Sequence, residues 1–384
     1  MIGCLRRIGP EPDIGGRHHT GAMSAISTAI SQNKILDWRL SSQHLASTME
    51  ECGNVAATVR QLFAVQSQDF AQSLWSVGLR TPGAHRSDLL AAMAEGSIVR
   101  SSSLRGTLMM VAAVDLREIL ALTAGRTIAS MSSRQHQLEL DEDTMTRSQE
   151  AIEAAISGRN AMGREAILRT LEGVGIRTDS QRGYHILWLL AERGIICWGP
   201  PSGTQQALVL VEEWIEPTPE RERDELLARF VIRYFAGHGP ATIADLAWWA
   251  RLTIADVRRG IAAASDALCA TSVDGATYWM TADSPAPPRR RPEVLALPGF
   301  DEYLLGYSDR SRQLAPEYAR RIVPGANGIF LPTIVAAGRV IGTWRRTVTN
   351  GIVGVVPEPF EDLTPTQSRS FGAASKRYRE FCAN

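Results

Sequence analysis

The sequence predicts an α+β chain, mainly α, in which three tandem units of helices closed by a β-hairpin precede a β-rich C-terminal domain. Three observations carry this expectation. One order of elements (three helices, then two short strands around a turn) recurs in three successive stretches. A linker, Ser284-Pro285-Ala286-Pro287-Pro288-Arg289-Arg290-Arg291-Pro292, follows the third of them. Beyond it, apolar runs of strand length replace the helical spacing. Three helices and a two-stranded wing is the order of a winged helix-turn-helix. Each unit is too small to bury much surface alone, so neighbours are expected to pack together. The expected bounds are a disordered tail over residues 1–35, winged helices over 36–130, 145–217 and 221–282, and the C-terminal domain over 293–384.

The first 22 residues, with Arg6, Arg7, Pro10, Pro12, Gly15 and Gly16, lack the apolar core of a signal peptide, and Met23 is an alternative start. In the first unit, Val55, Val59, Leu62 and Phe63 have helical spacing over 55–65. Asp69, with Gln72 three residues on, reads as a capping box opening a helix through Arg80. Thr81-Pro82-Gly83 ends it, and Ser87 and Asp88 open the next. Strands over 98–100 and 107–111 flank Leu104-Arg105-Gly106, and a helix over 115–124 closes the unit. In the second, helices over 145–157, 164–171 and 181–193 end at a Gly194 C-cap. Strands over 195–198 and 207–211 then flank Gly199-Pro200-Pro201-Ser202-Gly203. In the third, a helix over 223–235 precedes two opened by Thr242-x-x-Asp245 and Thr253-x-x-Asp256. Strands over 268–272 and 277–281 flank Asp274-Gly275. The last domain offers strands over 329–335, 339–344 and 352–356 and a helix over 365–381.

Composition narrows the function classes. The 384 residues are 44% hydrophobic and 21% charged, an ordinary globular balance. Lys+Arg and Asp+Glu both number 41, so nucleic-acid binding must come from a local basic face rather than bulk charge. Cys4, Cys52, Cys197, Cys269 and Cys382 are dispersed, without the clustering of a zinc site or disulfide framework. Buried free thiols and no metal are expected. No P-loop spacing occurs, and no cofactor is expected. No apolar run approaches the ~20 residues that span a bilayer, so a cytoplasmic location is expected. Winged helices commonly set a recognition helix in the major groove and the wing on the backbone or minor groove. Double-stranded DNA is therefore the expected partner. A non-catalytic transcription regulator and a protein-interaction scaffold are the alternatives. A monomer is expected, because three units in one chain do not need a dimer to read two half-sites.

Four stretches carry a resemblance: Ala64-Val65-Gln66-Ser67-Gln68-Asp69; Leu104-Arg105-Gly106-Thr107-Leu108; Phe300-Asp301-Glu302-Tyr303-Leu304-Leu305-Gly306-Tyr307 with Asp309-Arg310-Ser311; and Gly325-Ala326-Asn327-Gly328-Ile329-Phe330 with Gly342-Thr343-Trp344-Arg345-Arg346. With them the chain resembles the AlkZ/YcaQ-like winged-helix DNA glycosylases from about residue 36 to its end. The resemblance implies three winged helices followed by a β-rich domain. It also implies monofunctional hydrolysis of the N-glycosidic bond of alkylated, N7-substituted purines, with damaged double-stranded DNA as the substrate. The family motif is Gln-x-Gln in one branch and Gln-x-Asp in the other. Here it falls on Gln66-Ser67-Gln68, which makes Gln66 and Gln68 the catalytic candidates. The family commonly has His two residues after the Thr of the Arg-Gly-Thr-Leu stretch, where this chain has Met109.

Glutamines suit such chemistry. An N7-alkylated purine is cationic and already a good leaving group. The step then needs a placed water and a polar group near the growing charge on the sugar, which an amide oxygen supplies. Residues two apart share a face only in extended backbone, so 66–68 must be non-helical for both amides to converge. Arg100, Arg105 and Thr107 in the first hairpin are candidate phosphate contacts. Arg345 and Arg346 are candidates for the DNA backbone. Asp69 can support the site with negative charge, although capping is its simpler role. In the cluster Asp301, Glu302, Asp309 and Arg310, a buried Asp–Arg brace between the C-terminal domain and the winged helices is favoured over paired acid–base carboxylates. Asp301 and Arg310 are its supporting residues. Trp248-Trp249 reads as helix core rather than a stacking platform.

Overall fold

A computed structural model describes residues 32–46, 53–203, 205–284, 286–288, 290–325, 328–349 and 352–383. About half of them are helical, and the strands form small sheets. The first stretch contains α1 (Gln32–Ser42), α2 (Val55–Leu62), β1 (Val65–Gln66), α3 (Phe70–Arg80), α4 (Arg86–Glu95), β2 (Ile98–Ser102), β3 (Leu108–Ala112) and α5 (Ala113–Ser130). The second contains α6 (Ser132–Gln137), α7 (Glu142–Ile156), β4 (Met162–Gly163), α8 (Arg164–Gly173), α9 (Arg182–Glu192), β5 (Ile196–Ser202), β6 (Gln205–Leu210) and α10 (Val211–Trp214). The third contains α11 (Arg223–His238), α12 (Ile243–Ala250), α13 (Ile254–Ala264), β7 (Leu268–Val273) and β8 (Ala276–Thr281). Last come β9 (Leu295–Leu297), α14 (Glu302–Leu305), α15 (Ala319–Ile322), β10 (Thr333–Ala336), β11 (Arg339–Thr349), β12 (Ile352–Pro359) and α16 (Pro365–Ala383).

Local chemistry sets several of these bounds. Asp69 accepts from the Gln72 N–H at 3.1 Å and so opens α3. Only half of the expected box forms, because the Gln72 amide oxygen instead accepts from the Gly299 N–H of the last domain. At α12 the box is complete: Thr242 Oγ1 accepts from the Asp245 N–H, and the Asp245 carboxylate accepts from the Thr242 N–H. Gly194 takes a left-handed φ of 72° just past α9, as a C-cap requires.

Four expectations need correction. The tail expected over residues 1–35 lies outside the described residues up to 31, but 32–35 belong to α1, whose Ile35 is fully buried. Pro200 and Pro201, expected in a turn, lie in β5; the ladder shifts register between Trp198 and Pro201, which accommodates residues with no N–H to donate. The hairpins expected to close the first two units are not separate. They join in one six-stranded sheet of order β1-β3-β2-β5-β6-β4, in which β2 meets β5 at Arg100 and Trp198. Finally, Cys197 is buried, and burial raises its thiol to about 12, but Cys269 is exposed.

Packing ties the stretches to one another. Phe63 after α2 meets Phe230 of α11 edge-on at 4.8 Å. Trp75 of α3 is buried against Tyr378 of α16 at 5.2 Å and donates to the Ala296 carbonyl of β9 at 3.0 Å. Trp344 of β11 closes the same cluster, 5.1 Å from Tyr378. The C-terminal stretch is thus seated on the α3 face of the first stretch, in one shared core.

Candidate active site

Backbone geometry produces the site. α2 stops at Leu62, and Phe63 turns the chain with a φ of 66°. Residues 65–66 are then extended as β1, and Ser67 continues the ladder by donating its N–H to the Leu108 carbonyl at 2.8 Å. Asp69 caps the next helix. Gln66-Ser67-Gln68 is therefore a non-helical gap between helices, and both amides fall on one side. Gln66 Nε2 donates to Gln68 Oε1 at 3.0 Å. Gln66 is nearly buried, at 9% exposure, whereas Gln68 is open to solvent. Gln66 is thus the anchored amide of the pair and Gln68 the solvent-exposed one.

Behind Gln66 stands Glu302, fully buried at the start of α14. Its Oε1 accepts from the Gln66 N–H at 3.3 Å and its Oε2 from Trp249 Nε1 at 2.9 Å. His238 Nε2 lies 3.3 Å from the same Oε2, with its ring stacked on Tyr234 at 4.6 Å. This network fixes the backbone of the amide pair from the third stretch and the last domain at once. Sequence reasoning missed Glu302 as the link. Its sign was a pair of charged residues, Asp301 and Glu302, set among the apolar residues of Phe-Asp-Glu-Tyr-Leu-Leu, but no local pattern names Gln66 or Trp249 as partners of Glu302.

The expected DNA contacts divide. Arg100 is 6% exposed; it donates to Gln206 Oε1 at 2.7 Å and to the Ser67 carbonyl, and its guanidinium lies 4.8 Å from the Phe70 ring. Burial lowers its pKa to about 10, still a cation at neutral pH. Arg105 is half-buried, donates to the Trp249 carbonyl and sits 5.0 Å over Trp248. Both guanidinium groups are engaged by the protein in this structure, so the expected phosphate contacts at this hairpin lack extended, solvent-facing arginines. Thr107 is half-buried and closes the turn through its backbone, donating to the Leu104 carbonyl. Met109 stands opposite Gln66 in the β1–β3 ladder and is fully buried. Arg345 is exposed and pairs with Glu358 at 2.9 Å, and Arg346 is exposed beside it.

The brace is present with a different partner. Asp301 is held by both terminal nitrogens of Arg80, at 2.7 and 2.8 Å, and accepts from Ser76 Oγ. Arg80 and Asp301 are both buried. The expected partner, Arg310, instead donates to the Leu304 carbonyl and packs 4.8 Å from Trp248 and 5.1 Å from Phe330. Arg80 ends a helix far back in the chain, where it reads as an ordinary last-turn cation. The two tryptophans also part company: Trp249 is core and Trp248 is 39% exposed between Arg105 and Arg310. Asp69 is exposed and serves as the α3 cap. Among the described residues no cluster of His, Cys, Asp and Glu could hold a metal ion, and no helix is long and apolar enough to cross a membrane.

An interstrand DNA cross-link repair glycosylase from Streptomyces sahachiroi is 25% identical over 367 residues, which cover 88% of this chain and 93% of that protein. The solved structure of Streptomyces sahachiroi DNA glycosylase AlkZ superposes with a TM-score of 0.76 at 23% identity, over 93% of this chain and 98% of that one, so the two share a fold. The model of the DNA glycosylase AlkZ-like family matches residues 59–381, a span that includes the amide pair, Glu302 and the Arg80–Asp301 brace. The chain belongs to the AlkZ-like family of DNA glycosylases.

Proposed function

We propose that this protein is a monofunctional glycosylase that hydrolyses the N-glycosidic bond of N7-substituted, cationic purines in double-stranded DNA. In this reading the three helical stretches act as winged helices on the duplex, and the exposed arginines of β11 meet its backbone. The observation that carries the reading is the amide pair: two side chains converging 3.0 Å apart on an extended segment, with a buried carboxylate gripping the backbone beneath them. Gln68 accepts a hydrogen bond from a water set against C1′. As the C1′–N9 bond breaks, its electron pair passes to the purine and neutralises it. The sugar takes up the positive charge, water adds at C1′, and a proton is lost to solvent. An amide is too weak a base to drive departure of an ordinary base, so activity is confined to lesions that leave easily.

The test is release of free base from duplex DNA carrying N7-methylguanine, under single-turnover conditions. The wild-type protein releases 7-methylguanine and leaves undamaged guanine in place. Gln68→Ala lowers the rate by about 100-fold, the usual effect of losing one transition-state hydrogen-bonding group. No release at a large excess of protein overturns the reading. The cross-link activity in the name of the Streptomyces relative makes a purine cross-linked through N7 the second substrate to try.

A further inference from the structure

A cavity of about 170 Å3 opens beside Gln68, where the joined sheet brings β2 against β5. Gln68, Arg100, Tyr184, Trp188, Trp198 and Gln206 form part of its wall. The volume is below the ~300–1,000 Å3 of pockets for drug-sized molecules and suits a single small ring system. Three aromatic side chains offer faces for stacking. Arg100 is the unusual member. It is a buried cation, it is in no ion pair with a carboxylate among the described residues, and its Nε has no hydrogen-bond partner there. Burying such a charge is costly unless something electron-rich completes the site.

Resting on the glycosylase reading above, we propose that this cavity receives the departing purine and that Arg100 stabilises it as it leaves. The placement follows from Gln68: it is a wall of the cavity, so a base released from a C1′ held beside its amide has this cavity within reach. The charge argument follows from the step itself. A cationic purine is repelled by Arg100 in the ground state, but the base becomes neutral as it takes the bonding pair, and its carbonyl and ring nitrogens become better acceptors. The positive charge moves to the sugar, on the side where Glu302 grips the Gln66 backbone. The segment 66–68 lies between these opposite groups: Arg100 donates to the Ser67 carbonyl while Glu302 accepts from the Gln66 N–H. An interaction that is unfavourable before the step and favourable after it lowers the barrier. A second cation, Arg164, stands at the exposed rim 6.0 Å from the Tyr184 ring, but three aromatic side chains line the space beside Arg100, and these favour a base edge over a phosphate as its partner.

Two measurements test this. The first is binding of free 7-methylguanine to the intact protein by equilibrium dialysis. Wild type binds it. Gln205→Trp, which fills the exposed rim of the cavity, and Tyr184→Ala, which removes a half-exposed face, lose at least 10-fold in affinity. The second is single-turnover excision. Arg100→Leu falls by about 100-fold in rate, while the salt dependence of its DNA affinity stays that of wild type. Because Arg100 also holds Ser67, the Gln205 and Tyr184 variants carry the test if Arg100→Leu fails to fold. Excision by wild type that is unchanged in Gln205→Trp and Tyr184→Ala, with no binding of the free base, overturns the cavity assignment and leaves the glycosylase reading intact. A salt slope lowered by about one in Arg100→Leu, with equal loss on damaged and undamaged duplex, makes Arg100 a phosphate contact and also overturns it. Absence of excision by wild type from every alkylated duplex overturns both.

Discussion

Arg100 and Arg105 in the β2–β3 hairpin and Arg345 and Arg346 in the β11–β12 hairpin are alike in sequence: arginines in or beside short apolar strands. Their surroundings are opposite. β2 lies inside the six-stranded sheet, flanked by β3 and β5, and all of its residues are buried, so its side chains meet protein on both faces. Arg100 is accordingly buried and Arg105 half-buried, and each donates to backbone carbonyls. β11 pairs with β10 only from Arg339 to Thr343; from Trp344 to Thr349 its ladder partner is β12 alone. That distal half is a two-stranded ribbon, and its arginines face solvent. What separates the two cases is how much of the rest of the chain packs over each arginine. A guanidinium in the first setting organises the site, and one in the second remains available to DNA.

If burial decides what these cations do, the extreme case gives the largest effect. Arg80 is fully buried and its charge is answered by Asp301. Asp301→Ala leaves that guanidinium without a countercharge, and a loss of about 3–5 kcal/mol in unfolding free energy is expected from urea titration. Arg345→Ala, which breaks only an exposed pair with Glu358, changes stability by less than about 0.5 kcal/mol. Similar losses in the two variants would break the comparison.

How much of this was legible in the sequence depends on range. Helix starts at Asp69, Thr242 and Thr253 were readable because their capping partners lie three residues on. The extended gap holding Gln66 and Gln68 was readable for the same reason, since a helix end and a cap bracket it. The joined sheet was not: β2 meets β5 through one residue pair across almost a hundred residues, and nothing in either hairpin marks it. That contact creates the cavity and buries Arg100. Likewise the brace was foreseen as an Asp–Arg pair, but the nearby Arg310 was named where Arg80 binds. Side-chain chemistry predicts that a buried carboxylate needs a cation; only the fold decides which one.

The buried hairpin also holds an acid from a neighbouring helix, which sharpens the comparison at a smaller scale. Ser102 of β2 donates to Glu192 at the end of α9, and burial raises that carboxyl from 4.5 to about 8. A raised acid holds its proton in the folded state while the unfolded chain ionises. Its contribution to stability is therefore complete below about pH 4.5 and is lost as pH rises to about 8, at up to about 1.4 kcal/mol per pH unit. Glu192→Gln keeps a polar group for Ser102 and removes the titration. Thermal melts from pH 5 to 9 are expected to show a shallower decline for the variant. Parallel profiles would mean that Glu192 ionises in place.

The smallest effect on stability, and the most specific on binding, belongs to the ribbon. If Arg345 and Arg346 meet phosphates, each replacement by alanine removes about one released counterion, so the slope of log affinity against log salt falls by close to one. The two positions are not equivalent. Arg345 is held by Glu358 at 2.9 Å in the free protein, so contacting a phosphate requires it to leave or share that carboxylate. Glu358→Gln should then tighten DNA binding, and do so only while Arg345 is present. A double-mutant cycle over these two residues reads this coupling directly. If tightening persists in the Arg345→Ala background, Glu358 acts by repelling DNA itself, and the ribbon's contact is Arg346 alone.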